Sequence, residues 1–350
     1  MRILKKAIPA YPLFCVAIFL SSCATNSLNV TVLKPAEITI PSAIQKVAIV
    51  NRSLADDDSK VNNIIEGVIT GEGIFVDREA SGNCLNGLSA MLTKQPRFDV
   101  VFPQNVDYLK GTGTAEFPPP LKWGDIEKIC KDNKADALIA LETFDSNSGT
   151  KFENEKKTRK DQAGNTQEYY ITVANMDIAI SAGWRIYWPE KKKIVDQNVF
   201  VDHKHWDTEG NSREEASKKL PSKRMAVKDA GFFAGEQYGW RISPAWVSVG
   251  RMYYVKANDD FKDAKYKVRA NAWDEASAIW KKHVNSPDKK IAGRATYNMA
   301  LACEVKGDLV KALDWAKISY KDHYNKKART YIHKLENRLW DQKKLDEQMQ

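Results

Sequence analysis

The sequence of 350 residues lacks the common patterns of an active site. It has five cysteines but no Cys-x-x-Cys pair, which argues against a zinc ribbon or a redox motif. It has no Gly-x-Ser-x-Gly, and Gly71-Glu72-Gly73 is too short for a phosphate-binding loop and lacks its lysine. The five histidines lie beside no nucleophile pattern. We therefore predict no catalytic residue, no bound metal and no cofactor.

A hydrophobic run long enough to span a membrane is also missing at the N-terminus. The apolar run Ala7–Leu20 follows a basic start and is shorter than the roughly 20 residues of a spanning helix. This pattern is typical of a cleaved signal peptide. The run ends in Leu20-Ser21-Ser22-Cys23, which resembles the lipobox of bacterial lipoproteins. The resemblance implies that residues 1–22 are removed and that Cys23 is acylated; the alternative is a plain signal peptide with an incidental cysteine.

Long runs of one charge are missing from the chain, which has only short ones such as Asp56–Asp58 and Lys191–Lys193. The net charge is +9, and loss of Arg2, Lys5 and Lys6 with the signal peptide leaves +6. Basic and acidic residues are evenly mixed, so we expect a solvated surface and no nucleic-acid partner. Hydrophobic residues make up 43% of the chain, and its length suits two domains.

Three cysteines, Cys84, Cys130 and Cys303, remain outside the leader and the lipobox. In an oxidising periplasm Cys84 and Cys130 could form a disulfide, because each lies on a predicted helix of one domain. Three buried free thiols are the favoured alternative.

Residues 37–243 have the pattern of an α/β domain with a mixed sheet and flanking helices. Short apolar strands at Val47–Val50, Phe98–Phe102 and Ala135–Glu142 alternate with helical patterns. The helices are predicted from the stripe Val61, Ile64, Ile65 and Val68, over Arg78–Gln95 and over Trp123–Asn133. The strand sequences resemble those of the TolB amino-terminal domain and the curli-secretion lipoprotein.

The rest of this domain is predicted from polarity and alternation. The polar insert Lys151–Gln167 is predicted as a mobile hairpin tip or loop, followed by an antiparallel meander. A helical stretch, Ser212–Ala234, is interrupted at Pro221, and glycines 231, 235 and 239 predict close packing of the run that contains them. Before the domain, residues 23–36 are predicted to be a tether.

Residues 244–350 are predicted to be an all-α domain of helical repeats. Asn271–Ala276 resembles the second helix of a tetratricopeptide repeat, and Gly307–Ala312 repeats that form 36 positions later. Ala295–Cys303 suits the first helix between them. With the lipobox, this tail resembles a family of bacterial lipoproteins of unassigned function, which implies location and architecture but no activity.

Several residues are candidates for binding. Trp240, Arg241 and Trp246 lie in an aromatic run that could be a partner-binding surface or a domain seam. Tyr297 and Asn298 are predicted to face a partner in the groove of the repeats. His203, His205 and Asp207 would share one strand face and could hold Zn²⁺, although a solvated strand end is favoured.

The sequence predicts a membrane-anchored envelope lipoprotein that acts as a protein–protein interaction scaffold and is not an enzyme. One alternative is an enzyme with its site near Asn51, Arg52 and Asp145, at the carboxyl ends of the strands. A structural spacer is the other. The absence of an acidic run in Ala24–Ser27 resembles sorting to the outer membrane, facing the periplasm.

Overall fold

A computed structural model describes residues 24–54, 71–95, 97–106, 109–111, 113 and 115–349. The predicted acylation site Cys23, the predicted leader 1–22 and the predicted helical stripe that begins at Val61 lie outside the described residues.

The described elements follow one another along the chain, with a single 3₁₀ turn, Pro189–Lys191, after the fifth strand. They are β1 (Thr25–Lys34), β2 (Lys46–Asn51), α1 (Gly71–Thr93), β3 (Asp99–Val101), α2 (Trp123–Asn133), β4 (Ala137–Lys160), β5 (Thr166–Trp188), β6 (Lys193–Gly210), α3 (Arg213–Lys219), α4 (Lys223–Ile242), β7 (Ala245–Tyr254), α5 (Asp259–Arg269), α6 (Trp273–Lys281), α7 (Lys289–Val305), α8 (Leu309–Lys321) and α9 (Lys326–Met349).

The chain forms two compact units. One contains residues 24–30 and 249–339, and the other contains residues 31–248 and 340–349 within the described part. The division in mid-chain falls between residues 248 and 249, whereas the sequence predicts a domain boundary between residues 243 and 244.

The larger unit is built on a five-stranded mixed sheet in the order β3-β2-β4-β5-β6. Strand β2 is parallel to β3 and β4, whereas β4, β5 and β6 are antiparallel. One core contains α1, α4 and one face of the sheet, and a smaller core contains α2 and the other face. The predicted mixed sheet with flanking helices is confirmed.

The sheet separates two cysteines that were candidates for a disulfide. Cys84 belongs to the core beneath α1 and α4, and Cys130 to the core beneath α2. Both are buried free thiols, and Cys303 is a partly buried one. The disulfide alternative is therefore wrong. Burial raises the pKa of Cys130 to about 12.

Helices α1 and α4 pack closely, as their glycines predict. A Cβ added at Gly231 would lie 2.5 Å from the carbonyl oxygen of Ala80, and one at Gly235 would overlap that of Cys84. The absence of side chains at these positions lets the two helix backbones approach.

The polar insert is a hairpin, and most of it is strand. Residues 151–160 extend β4, residues 166 and 167 begin β5, and the turn between them is organised by Asp161. The Asp161 carboxylate accepts hydrogen bonds from the main-chain N–H groups of Ala163 and Asn165, each at 2.9 Å. Composition alone did not show the strand, because both faces of this segment are exposed.

Two predicted boundaries are wrong. The tether at residues 23–36 is largely strand β1, which pairs with β7, and its alternation buries Val30 and Val32. The predicted helical domain begins instead with β7, Ala245–Tyr254, in which exposed and covered positions also alternate. Period-2 burial explains both strands.

The smaller unit contains the stacked helices. Helix α5 packs on α6, α6 on α7 and α7 on α8. The crossings are lined by Ala276, Ala300 and Ala312, all fully buried. Asp308 caps α8 by accepting a hydrogen bond from the N–H of Lys311 at 3.0 Å. The predicted helical region after the sheet is confirmed. Among the described helices, none has the combination of length and apolarity needed to cross a membrane.

Candidate functional site

A buried carboxylate lies near the carboxyl end of β2, in the first part of the long strand β4, where the enzyme alternative predicts a site. Glu142 is fully buried and accepts hydrogen bonds from the Arg52 guanidinium and the Tyr187 hydroxyl, each at 2.6 Å. The Arg185 guanidinium lies 3.6 Å from the same carboxylate. Burial raises the pKa of Glu142, and these three donors oppose that effect.

The loop before α2 covers this cluster. The Pro118 carbonyl accepts a hydrogen bond from Arg185 at 2.7 Å, and the Phe117 ring centre lies 4.7 Å from the Arg185 guanidinium carbon. Arg52 is only 6% exposed. The predicted site residue Arg52 therefore forms a buried ion pair with Glu142. Loss of either partner would leave an uncompensated buried charge, which is costly.

On helix α1, the carboxylate of Asp77 has a strongly raised pKa and lies against Ser146 of β4. Burial raises the pKa of Asp77 to about 6, the hydrogen bond from the Ser146 hydroxyl opposes the rise, and the charge of Asp145 adds to it. The predicted residue Asn51 donates instead to the Ser81 hydroxyl at 3.0 Å. A carboxylate that titrates near neutrality is suited to general acid–base chemistry.

The two histidines of the metal alternative share one strand face and a neighbouring carboxylate. On β5, Asp177 lies opposite His205 in the strand register, and its carboxylate oxygens lie 2.9 Å from His203 Nδ1 and 3.7 Å from His205 Nδ1. Asp207 pairs with Asn175 instead. Across the described residues, no group of three or more His, Cys, Asp or Glu side chains is arranged to hold a metal ion.

The aromatic run around Arg241 divides into a structural part and an exposed part. Arg241 forms a bidentate ion pair with Asp202 at 2.6 and 3.0 Å, and its guanidinium lies over the Phe200 ring. Trp240 is partly buried. Trp246 is 52% exposed, and its main-chain N–H donates to the Gln95 side chain at 3.0 Å. Of these three predicted residues, Trp246 offers the largest accessible surface.

A polar cavity of about 370 Å³ is lined in part by Gln95, the residue that binds the Trp246 main chain. Its other polar walls include Ser42, Gln45 and Asp99. Phe98 and Met349 supply its apolar walls. Arg97 also lines it, but the guanidinium is engaged by the carbonyl groups of Ile44 and Pro41. The cavity offers uncharged donors and acceptors around a single carboxylate.

The groove residues predicted on the repeats are not at the surface. Asn298 is fully buried, and its side-chain amide donates to the Tyr254 carbonyl and accepts from the Tyr254 N–H, both at 2.8 Å. Tyr297 is 5% exposed and packs edge-on against the Tyr254 ring. The end of strand β7 therefore occupies the place predicted for a partner, and the prediction of an open groove at these residues is wrong.

A second buried carboxylate, Glu304, stabilises this arrangement. It accepts hydrogen bonds from Arg251, Tyr331 and Arg338 at 2.6 to 3.1 Å. Burial opposes its ionisation, but these donors outweigh burial and hold the pKa of Glu304 below its usual range. The network joins α7 to β7 and α9 within the smaller unit.

Sequence reasoning missed the three carboxylates Glu142, Glu304 and Asp77. Each looks like an ordinary polar residue of a strand or helix, and its partners are distant in sequence. One signal was available for Glu142, because it directly follows the wholly buried run Ala137–Leu141 and continues the same strand.

The comparisons with known proteins concern both units. A family model described as "Domain of unknown function (DUF8603)" matches residues 44–254, more than half of the chain. A second, "Domain of unknown function (DUF6340)", matches residues 262–337. No curated protein matches the chain. A solved structure from Helicobacter pylori, a neuraminyllactose-binding hemagglutinin homologue, is similar at 12% identity over 59% of this chain and 87% of that one. Its TM-score is 0.24, so the likeness carries no argument.

Proposed function

The chain belongs to the DUF8603 family, whose description assigns no activity, and we propose that it is a lipid-anchored envelope lipoprotein that acts as a protein–protein interaction scaffold. The lipobox-like Leu20–Cys23 and the resemblance to envelope lipoproteins support the anchor. The lack of an acidic run after Cys23 supports an outer-membrane position that faces the periplasm.

The start of the folded chain bears on how such an anchor would work. Strand β1 begins at Thr25, two residues after Cys23, and the Ala24 carbonyl already accepts a hydrogen bond from the Val255 N–H at 3.0 Å. Acyl chains on Cys23 would therefore hold the first strand at the membrane surface without a flexible spacer.

The single observation that carries the scaffold proposal is the exposed Trp246, whose main chain binds Gln95 in the wall of the polar cavity. Tryptophan is enriched among residues that dominate binding energy, and such residues pack near pockets. Trp246 supplies apolar contact area, and Gln95 and Asp99 in the cavity supply polar contacts that fix orientation. This combination suits a protein partner that inserts a polar side chain beside the indole.

Crosslinking in intact cells tests the proposal with a matched control. Full-length wild type, Trp246→Ala and Trp340→Ala are compared; Trp340 is 64% exposed and lies about 14 Å along α9 from the cavity residue Met349. We expect a reproducible partner with wild type and Trp340→Ala, and recovery reduced roughly tenfold or more with Trp246→Ala. Equal recovery from both variants, or no reproducible partner, would refute the scaffold.

A second candidate function, an enzyme at the carboxyl edge of the sheet, is favoured by the raised pKa of Asp77 beside Ser146. Under this alternative, Asp77→Asn abolishes the cellular function while the fold and the Trp246-dependent partner are retained. Complementation of a deletion strain separates the two candidates, because the scaffold requires Trp246 and not Asp77.

A further inference from the structure

Strand β6 is a long edge of the five-stranded sheet, and no other strand among the described residues pairs with its open side. It has 18 residues and pairs only with β5 in the sheet order. Helix α3 covers its end, where Lys219 donates to the Glu209 carbonyl and Gly210 packs against Ala216. Along 195–207, no described residue forms a hydrogen bond to the main chain on the open side. An unpaired row of main-chain groups is a template for another strand.

The middle of this strand lacks two of the features that usually protect such an edge, a proline and an outward-directed lysine, and its β-bulge lies at one end, opposite Ile186 and Tyr187. Residues 193–210 contain no proline. Lys204 is directed to Asp229 at 2.7 Å rather than outward across the edge. Val199 and Val201 remain 46% and 57% exposed on a strand otherwise rich in polar residues. Exposed, regular and apolar edges associate with other strands.

We propose that β6 pairs antiparallel with β6 of a second copy of this chain, about a two-fold axis at Phe200. In this register Phe200 lies opposite its own counterpart, and Val199 lies opposite Val201 twice. The same register places no carboxylate opposite another: Asp202 lies opposite Asn198, and Asp196, which keeps its hydrogen bond from Tyr238, lies opposite Lys204. Apolar and opposite-charge pairs directly across an antiparallel pair are favourable. The sequence of β6 is therefore complementary to itself.

Neighbouring registers lose this complementarity. An axis at Val199 places Asp196 opposite Asp202, and an axis at Asp202 places that carboxylate opposite itself. An axis at Val201 places Phe200 opposite Asp202. Like charges directly opposite are destabilising, and an axis between two residues would pair opposite faces of the strands. The register centred on Phe200 is the one that the charges favour.

The mass of the full-length chain in mild detergent, measured by sedimentation over a range of concentrations, tests the proposal. Wild type is expected to form a dimer. Val199→Lys with Val201→Lys should weaken the dimer roughly tenfold or more, because four lysines meet across the axis. Tyr170→Lys, at a 66% exposed position on β5, should leave it unchanged. A monomeric wild type, or a dimer insensitive to the β6 lysines, would overturn the proposal.

Disulfide trapping tests the register. Two differently tagged full-length chains, one with Val199→Cys and one with Val201→Cys, are mixed and oxidised. We expect the mixed 199–201 crosslink to exceed the 199–199 and 201–201 crosslinks. Dominance of either symmetric crosslink would move the axis and contradict the proposed register. Neither assay depends on Trp246 or on the anchor, so the dimer and the scaffold are tested separately.

Discussion

Gly235 determines how closely two core helices approach. Its missing side chain leaves room for the carbonyl oxygen of Cys84 on the facing helix, and Gly87 does the same for the carbonyl oxygen of Phe232. The obstacle to a larger residue is main chain, which cannot rotate away as a flexible side chain can. Each glycine therefore contributes to the packing of α1 against α4.

We predict that Gly235→Ala destabilises the protein by about 2–3 kcal/mol, because the helices must move apart. Urea unfolding of the larger unit measures the change. Gly82→Ala on α1 is the control, since a Cβ there meets nothing within 4 Å and alanine is the better helix former by about 0.5–1 kcal/mol. Equal effects of the two substitutions would contradict this reading.

The raised pKa of Asp77 predicts that its contribution to stability falls as the pH rises. An ordinary ion-paired carboxylate has the opposite effect. The pKa of Asp77 is raised from 3.8 to about 6 in the folded chain, so the folded state binds the proton more tightly than the unfolded state. The favourable contribution of Asp77 to the free energy of unfolding is fully present below pH 3.8 and is lost as the pH rises through about 6. Solvent screening at this partly exposed site limits the loss to about 1–2 kcal/mol.

Asp77→Asn should remove this loss and stabilise the protein near pH 7 relative to wild type, with little difference near pH 4. Unfolding midpoints of both proteins between pH 4 and 7.5 provide the comparison, and the difference between them cancels other titrating groups. A constant difference across this range would mean that Asp77 titrates normally.

Single residues were predictable where the sequence pattern is local. The spacing of Gly231, Gly235 and Gly239 on one helix predicts close packing without knowledge of the partner helix. The pKa of Asp77 was not predictable, because it depends on burial and on Ser146 and Asp145, which lie on a strand almost 70 residues away.

At the scale of elements, β7 and α7 explain why the groove prediction failed. The repeat pattern placed Tyr297 and Asn298 on the first helix of a pair, where partners usually bind. The pattern does not reveal that the chain's own β7 reaches this helix. Asn298 binds the main chain of Tyr254 as a neighbouring strand would, with one donor and one acceptor.

We predict that Asn298→Ala costs about 2–4 kcal/mol, because the Tyr254 N–H and carbonyl lose their buried partners. Chemical denaturation gives the free energy, and hydrogen exchange at the Tyr254 amide should accelerate. Asn29→Ala, at an exposed position of β1, should change stability by less than about 0.5 kcal/mol. Unchanged exchange at Tyr254 would show that the amide pair is not formed.

Elements with a strong period were predictable and those defined by long-range pairing were not. The helix Trp123–Asn133 has its predicted ends, because Ile126, Ile129 and Cys130 form a clear apolar stripe. Strands β4 and β5 run far beyond their apolar segments, since main-chain pairing holds the polar hairpin. Strand β1 was missed because only two of its positions are buried valines.

At the scale of the whole molecule, the proposed anchor determines where the folded chain works. We predict that full-length protein fractionates with membranes and that Cys23→Ser releases it, because the proposed anchor depends on this one thiol. Mass analysis of the mature first residue is the second measurement. Membrane association of Cys23→Ser equal to that of wild type would remove the anchor from the account.

Sequence could predict the order of architectures, a mixed sheet followed by helices, because periodicity changes along the chain. It could not predict that residues 24–30 belong to the helical unit, or that residues 340–349 belong to the unit that contains the sheet. Such long-range assembly depends on contacts such as those of Gln348 with Ala36, at 2.9 and 3.0 Å, for which the sequence carries no local pattern.

The most direct measurement of the central claim is photocrosslinking in living cells from a photoreactive residue placed at position 246, with position 340 as the reference. The account predicts a discrete protein adduct from position 246 and none from position 340. No adduct at 246, or the same adducts from both positions, would contradict it.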